Sequence, residues 1–220
     1  MWTTPYPPAL ACNMAEIFVL DTKGLNTEDE SVKKLITDER RKRTEKYLRE
    51  SDRRTSYGVE LLLDFAMLHR SAFPLNIIKD ERGKPRLRDG GLHFSFSHSG
   101  DFALCAVSEC EVGADIEQKR ELSDSMCRRI LSAEDSCGVI HSWSGKEAYL
   151  KLCGCGLFGG TSLLSLSIHD GFVFKNGEKA AHIFQTDFCD TVISLCTYEK
   201  NSVTVREMTV TEVLKNIMKP

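Results

Sequence analysis

Several things are missing from this sequence, and each absence narrows the field. No uninterrupted apolar stretch approaches the roughly 18 residues that a membrane span needs, so no membrane partner is expected. The first twenty residues, MWTTPYPPALACNMAEIFVL, carry no basic segment ahead of their apolar ones, which argues against a secretory leader. Net charge is low, at −3, which argues against a general nucleic-acid binder. The nine cysteines are odd in number and scattered, which suits reduced thiols and a cytoplasmic protein better than a disulfide scaffold. Cys153-Gly154-Cys155 has no second Cys/His pair at zinc-type spacing, so a structural zinc is not expected.

What is present is an ordinary globular composition, 41% apolar and 28% charged, in 220 residues, enough for one large domain or two small ones. One segment stands apart. From Lys33 to Arg54 there are ten Lys/Arg and five Asp/Glu, a local charge of +5 that leaves −8 for the remainder. Such a stretch reads either as a solvated helix laced with i, i+4 ion pairs or as an anion site at a helix end.

Hydropathy spacing predicts a helix over residues 27 to 49. A second is capped by Ser51 or Asp52, carries Tyr57, Leu61, Phe65 and Leu68 on one side, and is closed by Pro74. Residues 80 to 91 form a loop punctuated by glycine and proline. Alternation from Leu92 to His98, the turn Ser99-Gly100-Asp101 and the apolar run that follows predict a hairpin. Further helices are expected over 123 to 131 and from about Ser142 to Cys153, the latter capped by Gly154. Beyond Thr161 the chain is strand-rich and ends in a short helix. HFSFSHSGDFALCAVSE (93 to 109) echoes HIFQTDFCDTVISLCTYE (182 to 199) in pattern, suggesting two related halves that meet near residue 109.

The segment EVGADIE (111 to 117) sets Asp115 and Glu117 two apart on a strand, and residues two apart share a face. Neighbouring carboxylates repel and lose hydration near a core, so they either stand in water or share a cation. In SWSGKEAYLKLCGCGL (142 to 157), Trp143, Glu147 and Lys151 line one helix face. Trp143 could be core, Ser144 and Glu147 a capping box, and Glu147 with Lys151 an ordinary ion pair. Alternatively, Glu147 adds a third carboxylate for a hard cation, with Lys146 and Lys151 as point charges toward phosphates.

Taken in order, Gly83-Lys84-Pro85, Phe96-Ser97-His98-Ser99, Gly113-Ala114-Asp115-Ile116-Glu117 and the run Trp143 to Leu157 resemble the Sfp-type 4′-phosphopantetheinyl transferases. The last element matches the family pattern W-[ST]-x-K-E-A-x-x-K-x-x-G-x-G-L at every fixed position. The resemblance implies an α+β fold of two pseudo-symmetric halves, each a mainly antiparallel sheet packed with helices. The N-terminal half (1–108) would take the adenosine and 3′-phosphate of coenzyme A. The C-terminal half (109–220) would hold metal and catalytic residues, with the active site between them.

It further implies a holo-[acyl-carrier-protein] synthase activity, in which the phosphopantetheine arm of coenzyme A moves to a serine of an apo acyl or peptidyl carrier protein and 3′,5′-ADP leaves. Asp115, Glu117 and Glu147 would hold Mg²⁺, or Mn²⁺. Lys151 would steady the pyrophosphate, with Lys146 nearby, and Glu147, or a water it positions, would take the serine proton. Ser97 and His98 would bind coenzyme A, His98 beside the 3′-phosphate with Arg54 and Arg41, Arg40 being the alternative. Lys84 and Pro85 would lie along the adenine. Residues 118 to 135, with Arg128 and Arg129, are a candidate carrier-docking surface. Two family features differ: Ser95 stands where Asn is common, and LSAEDS (131 to 136) offers either Glu134 or Asp135 for a further family glutamate. The competing readings are a catalytically silent binder of coenzyme A or carrier protein, and another magnesium-dependent pyrophosphate enzyme. Both halves lie in one chain, so a monomer is expected.

Overall fold

The structure, a computed structural model, describes residues 14–70, 75–155 and 162–218. Among these, eleven strands form three sheets with six α-helices. The first sheet runs in the order β11 (Ser202–Met208), β1 (Met14–Asp21), β5 (Phe102–Ser108), β4 (His93–Ser99). The second runs β6 (Val112–Gln118), β10 (Thr191–Thr197), β9 (Glu178–Phe188), β8 (Phe172–Lys175), β7 (Leu166–His169). Every pairing is antiparallel except β1 with β11. A small hairpin, β2 (Ile77–Lys79) with β3 (Pro85–Leu87), replaces part of the loop expected over 80 to 91. The fold is α+β, with antiparallel sheets packed against helices.

Period-2 alternation builds the layers. On β1, Phe18 and Leu20 face α3 (Glu50–His69), while Ile17 and Val19 face the second sheet. On β5, Ala103, Cys105 and Val107 join the α3 side, and Leu104 and Ala106 the other. The second sheet answers with Val112, Ala114, Ile116, Ile193 and Leu195. Its outer face receives α5 (Val139–Cys153) through Ala148, Leu152 and Cys196. The order is therefore helix, sheet, sheet, helix, and each fully buried Leu or Ile contributes about 1.5–3 kcal/mol. The alternation also puts Gly113, Asp115 and Glu117 on the α5 side of β6.

Strand β11 and helix α6 (Val210–Ile217), both beyond residue 109, pack on the N-terminal side. There β11 pairs with β1, and Val213 joins the α3 core.

The expected helix over 27 to 49 is instead two short ones, α1 (Glu30–Lys33) and α2 (Asp38–Thr44). Between them Thr37 is captured: its backbone N–H donates to Glu60 Oε1 at 2.6 Å and its hydroxyl caps the amide of Arg40. Helix α3 begins one residue before the expected Ser51 cap, and Pro74 lies outside the described residues. Helix α4 (Asp124–Ile130) falls within the expected 123 to 131 with Ser123 as its N-cap, and Gly154 caps α5 in the left-handed region at φ 69°, the cap that the spacing predicts.

Candidate active site

Strand β4 is the edge of the first sheet and β6 the edge of the second. They lie side by side without a shared backbone ladder, and alternate serines of β4 bridge them instead. Ser95 Oγ accepts from the Ala114 amide at 2.9 Å, Ser97 Oγ donates to Asp115 Oδ1 at 2.7 Å, and Ser99 Oγ donates to Glu117 Oε2 at 3.0 Å. The Ser95 that departs from the common family Asn thus satisfies a buried backbone amide. The acidic pair is fixed from the opposite half of the chain.

Helix α5 closes over these residues, and Gly113 lets it do so. A Cβ at Gly113 would stand 2.2 Å from the Ala148 carbonyl oxygen and 2.2 Å from the Leu152 nitrogen. At this contact Lys151 Nζ donates to Asp115 Oδ1 and to Ser97 Oγ, both at 2.7 Å. One turn earlier Glu147 is buried, and a turn before that Trp143 Nε1 donates to Glu117 Oε1 at 2.8 Å. The i, i+4 face of Trp143, Glu147 and Lys151 therefore meets the carboxylates of β6, and Trp143 serves them rather than the core. Ser144, offered as a capping residue, lies inside the helix with an unpartnered hydroxyl.

The electrostatics of this face are unresolved within the protein. Asp115 Oδ2 and Glu147 Oε1 are buried with no hydrogen-bond partner among the described residues. Burial first, and then Asp115, push Glu147 up to about 7, with Lys151 opposing and Glu117 adding. Burial and Asp115 also raise Glu117, against the hydrogen bonds from Trp143 and Ser99. Among the described residues no three His, Cys, Asp or Glu side chains are gathered into a ready cation cage. What the structure offers is three carboxylates in mutual electrostatic contact and two orphaned oxygens, a hard-oxygen donor set.

The basic residues divide. His98 is accessible at the surface, yet surrounding protein lowers its pKa, with Lys151, Arg40 and Arg43 contributing and Asp52 opposing. Arg54 is held by Asp101 at 3.0 Å, in the turn after Ser99, and by Glu50 at 3.3 Å. Arg40 and Arg43 line a cavity of about 660 Å³ with Gly83, Pro85 and Phe96. Arg40 is anchored there by Glu60. The structure does not bring Arg41 to this place; it pairs with Asp38 and lines a separate cavity of about 500 Å³ beside Tyr57.

Two lysines are likewise spent elsewhere. Lys84 Nζ donates to Glu111 at 2.8 Å, to the Leu152 carbonyl at 2.9 Å and to the Val112 carbonyl at 3.1 Å, tying the β2–β3 hairpin to α5 and β6. Lys146 is fully buried on the other side of α5, donating to Asp135 Oδ2 and the Ile130 carbonyl, both at 2.7 Å. Asp135 also accepts from the amides of Ser132 and Ile168, while Glu134 accepts from Ser167 at 3.2 Å, so both belong to local structure. The helical period carried this signal: residues 146 and 151 lie about 140° apart around a helix of 3.6 residues per turn.

The chain is 31% identical over 159 residues to "4′-phosphopantetheinyl transferase psf-1" of Bacillus pumilus, spanning 65% of this chain and 68% of that protein. The chain belongs to the Sfp-type 4′-phosphopantetheinyl transferases. It is also 26% identical over 163 residues to "4′-phosphopantetheinyl transferase Sfp" of Bacillus subtilis (66% and 73% of the two chains). A third relative, "4′-phosphopantetheinyl transferase HetI" of a Nostoc strain, is 29% identical over 178 residues (70% and 75%). No family model matches the sequence. In this transferase, Gly156 and Leu157, the last two fixed positions of the Trp143 motif, lie outside the described residues.

Proposed function

We propose that this protein transfers the phosphopantetheine arm of coenzyme A to the serine hydroxyl of an apo acyl or peptidyl carrier protein. The observation that carries the reading is the face of α5 and β6 where Lys151 and Ser97 meet Asp115 while Asp115 Oδ2 and Glu147 Oε1 stay unpartnered. Buried carboxylate oxygens without donors are costly, and a divalent cation is the partner that suits them. Asp115, Glu117 and Glu147 would hold Mg²⁺, or Mn²⁺. When bound, the ion polarises the pyrophosphate oxygens and neutralises charge that develops on them.

The chain's own residues then divide the work. Lys151, with three ammonium protons, steadies the pyrophosphate as charge shifts onto the leaving phosphate. Glu147, or a water it positions, takes the serine proton, a contribution of roughly 10²–10⁴-fold. The serine oxygen forms a bond to the β-phosphorus, the bond from that phosphorus to the bridging oxygen breaks, and 3′,5′-ADP leaves with the electron pair. Ser97 orients Lys151 and Asp115.

The adenosine end falls to the N-terminal half, the catalytic carboxylates and Lys151 to the C-terminal half. The cavity beside Phe96 and Pro85 supports placing the adenine there, with Arg40, Arg43 and Arg54 as the cations for the 3′-phosphate and the neutral His98 ring as a hydrogen-bond donor to it. The exposed Arg128 and Arg129 of α4, beside the accessible Met126, support residues 118 to 135 as the carrier-docking surface. No helix among the described residues is long and apolar enough to cross a membrane. The reading is of a cytoplasmic monomer without nucleic-acid or membrane partners.

The test is intact-mass spectrometry of an apo carrier protein incubated with this protein, coenzyme A and Mg²⁺. The expected result is a mass gain of one phosphopantetheine arm, absent with EDTA. No gain on several acyl and peptidyl carriers would contradict the reading, and charge reversal at Arg128 and Arg129 should weaken carrier affinity.

A further inference from the structure

On the inner side of α3, one helical turn beyond Glu60, Asp64 faces the cavity of about 660 Å³ that also holds Arg40, Arg43, Pro85 and Phe96. Glu60 is fully engaged, accepting from Arg40, from the Thr37 amide and from the Thr37 hydroxyl. Asp64 is not: its carboxylate has no hydrogen-bond or ion-pair partner among the described residues. Leu63, Leu75 and Ile77 share the cavity wall with it, as do the charged Glu39 and Lys79. Burial first, and then the like charge of Glu60, push it up to about 7, with Arg40 opposing. A partly buried carboxyl without a hydrogen-bond donor is expensive for the folded protein, and a ligand that supplies the donor recovers that cost.

The chemistry of the cavity specifies that ligand. Phe96 and Pro85 offer flat apolar surface to a planar ring, Arg40 and Arg43 offer positive charge to a phosphate, and Asp64 offers one carboxyl in the same lining. Adenine presents an exocyclic amino donor beside a ring-nitrogen acceptor. A carboxyl that exchanges its proton near neutral pH can accept from the first and donate to the second, as a side-chain amide does.

We propose that Asp64 is a specificity-determining residue that reads the 6-amino group of the adenine of coenzyme A. The proposal rests on the coenzyme A reading given above. It goes beyond it in naming the side chain that separates adenine from other planar bases.

The test is calorimetric titration of the full chain with adenosine 3′,5′-bisphosphate and with purine riboside 3′,5′-bisphosphate, which lacks only the amino group. Wild type should bind the adenine ligand on the order of tenfold more tightly. Asp64→Ala should lose that ratio while its affinity for the purine ligand stays within about twofold, and Asp64→Asn, which keeps a donor and an acceptor, should retain it. A merely structural Asp64 would move both ligands together and leave the ratio intact, which would overturn the proposal. So would a wild type that does not distinguish the two. Failure of wild type to bind either ligand is a different outcome: it removes the coenzyme A reading, and the inference with it.

Discussion

The two sides of α5 each carry a lysine on an aspartate at 2.7 Å, and the resemblance ends there. Around Lys146 and Asp135 both carboxylate oxygens are used: the carboxylate takes the ammonium and two backbone amides, and the ammonium also holds the Ile130 carbonyl. Both side chains are essentially inaccessible, at 0% and 1%. Around Lys151 and Asp115 the lysine is 29% exposed and two carboxylate oxygens are left over. A closed network holds structure, whereas one with unused capacity and solvent access is prepared for something that arrives. A buried ion pair is therefore poor evidence of function until its remaining hydrogen-bond capacity has been counted.

The sharpest way to break this comparison is to remove each pair in turn. Asp115→Ala and Lys151→Ala should each lower transfer by about 10²–10³-fold or more, measured by carrier-protein mass gain, with the smaller losses of stability. Lys146→Ala strands a buried carboxylate and should cost about 3–5 kcal/mol by urea denaturation, while transfer by the molecules still folded stays near wild type. Gly113→Ala attacks both sides at once, because the new methyl meets helix backbone rather than a pliable side chain. It should cost about 1–3 kcal/mol and lower activity as α5 is pushed away from β6.

A gentler probe is pH. Glu147 has a folded-state pKa of about 7, above its ordinary value of 4.5, so the folded state binds the proton more tightly than the unfolded one. The resulting stability is fully present below about 4.5 and is lost as pH rises through about 7. Metal-free wild type should lose on the order of 2–3 kcal/mol more than Glu147→Gln across that window. Asp64 titrates in the same window in both proteins and cancels in the difference. The smallest expected contrast concerns the arginines. Arg43→Ala should weaken coenzyme A binding about tenfold and Arg41→Ala by less than about twofold, since Arg41 pairs with Asp38 at the surface of another cavity.

Much of this was legible in the sequence. Alternation over 92 to 98 and 111 to 117 located the two strands, and the spacing of Trp143, Glu147 and Lys151 located the face that meets them. The broken helix over 27 to 49 was not legible, because what interrupts it is Glu60, more than twenty residues away, capturing Thr37. For the same reason Arg41 reads as well as Arg40 from composition alone; only the rotation of the short α2 separates them. Lys146 was within reach of periodicity, but its partner Asp135 is reached through tertiary contact. Asp64 carries no sequence signal: an aspartate among leucines on an amphipathic helix looks like an ordinary exposed position. Its meaning appears only when the β2–β3 hairpin and β4 close a cavity over it.

The most direct measurement of the central claim is a side-by-side single-turnover transfer of phosphopantetheine to an apo carrier protein by Lys151→Ala and Lys146→Ala, followed by intact mass at a temperature where both are folded. The account predicts transfer near the wild-type rate for Lys146→Ala and a loss of at least about 10²-fold for Lys151→Ala. Equal losses, or retained transfer without Lys151, would contradict it.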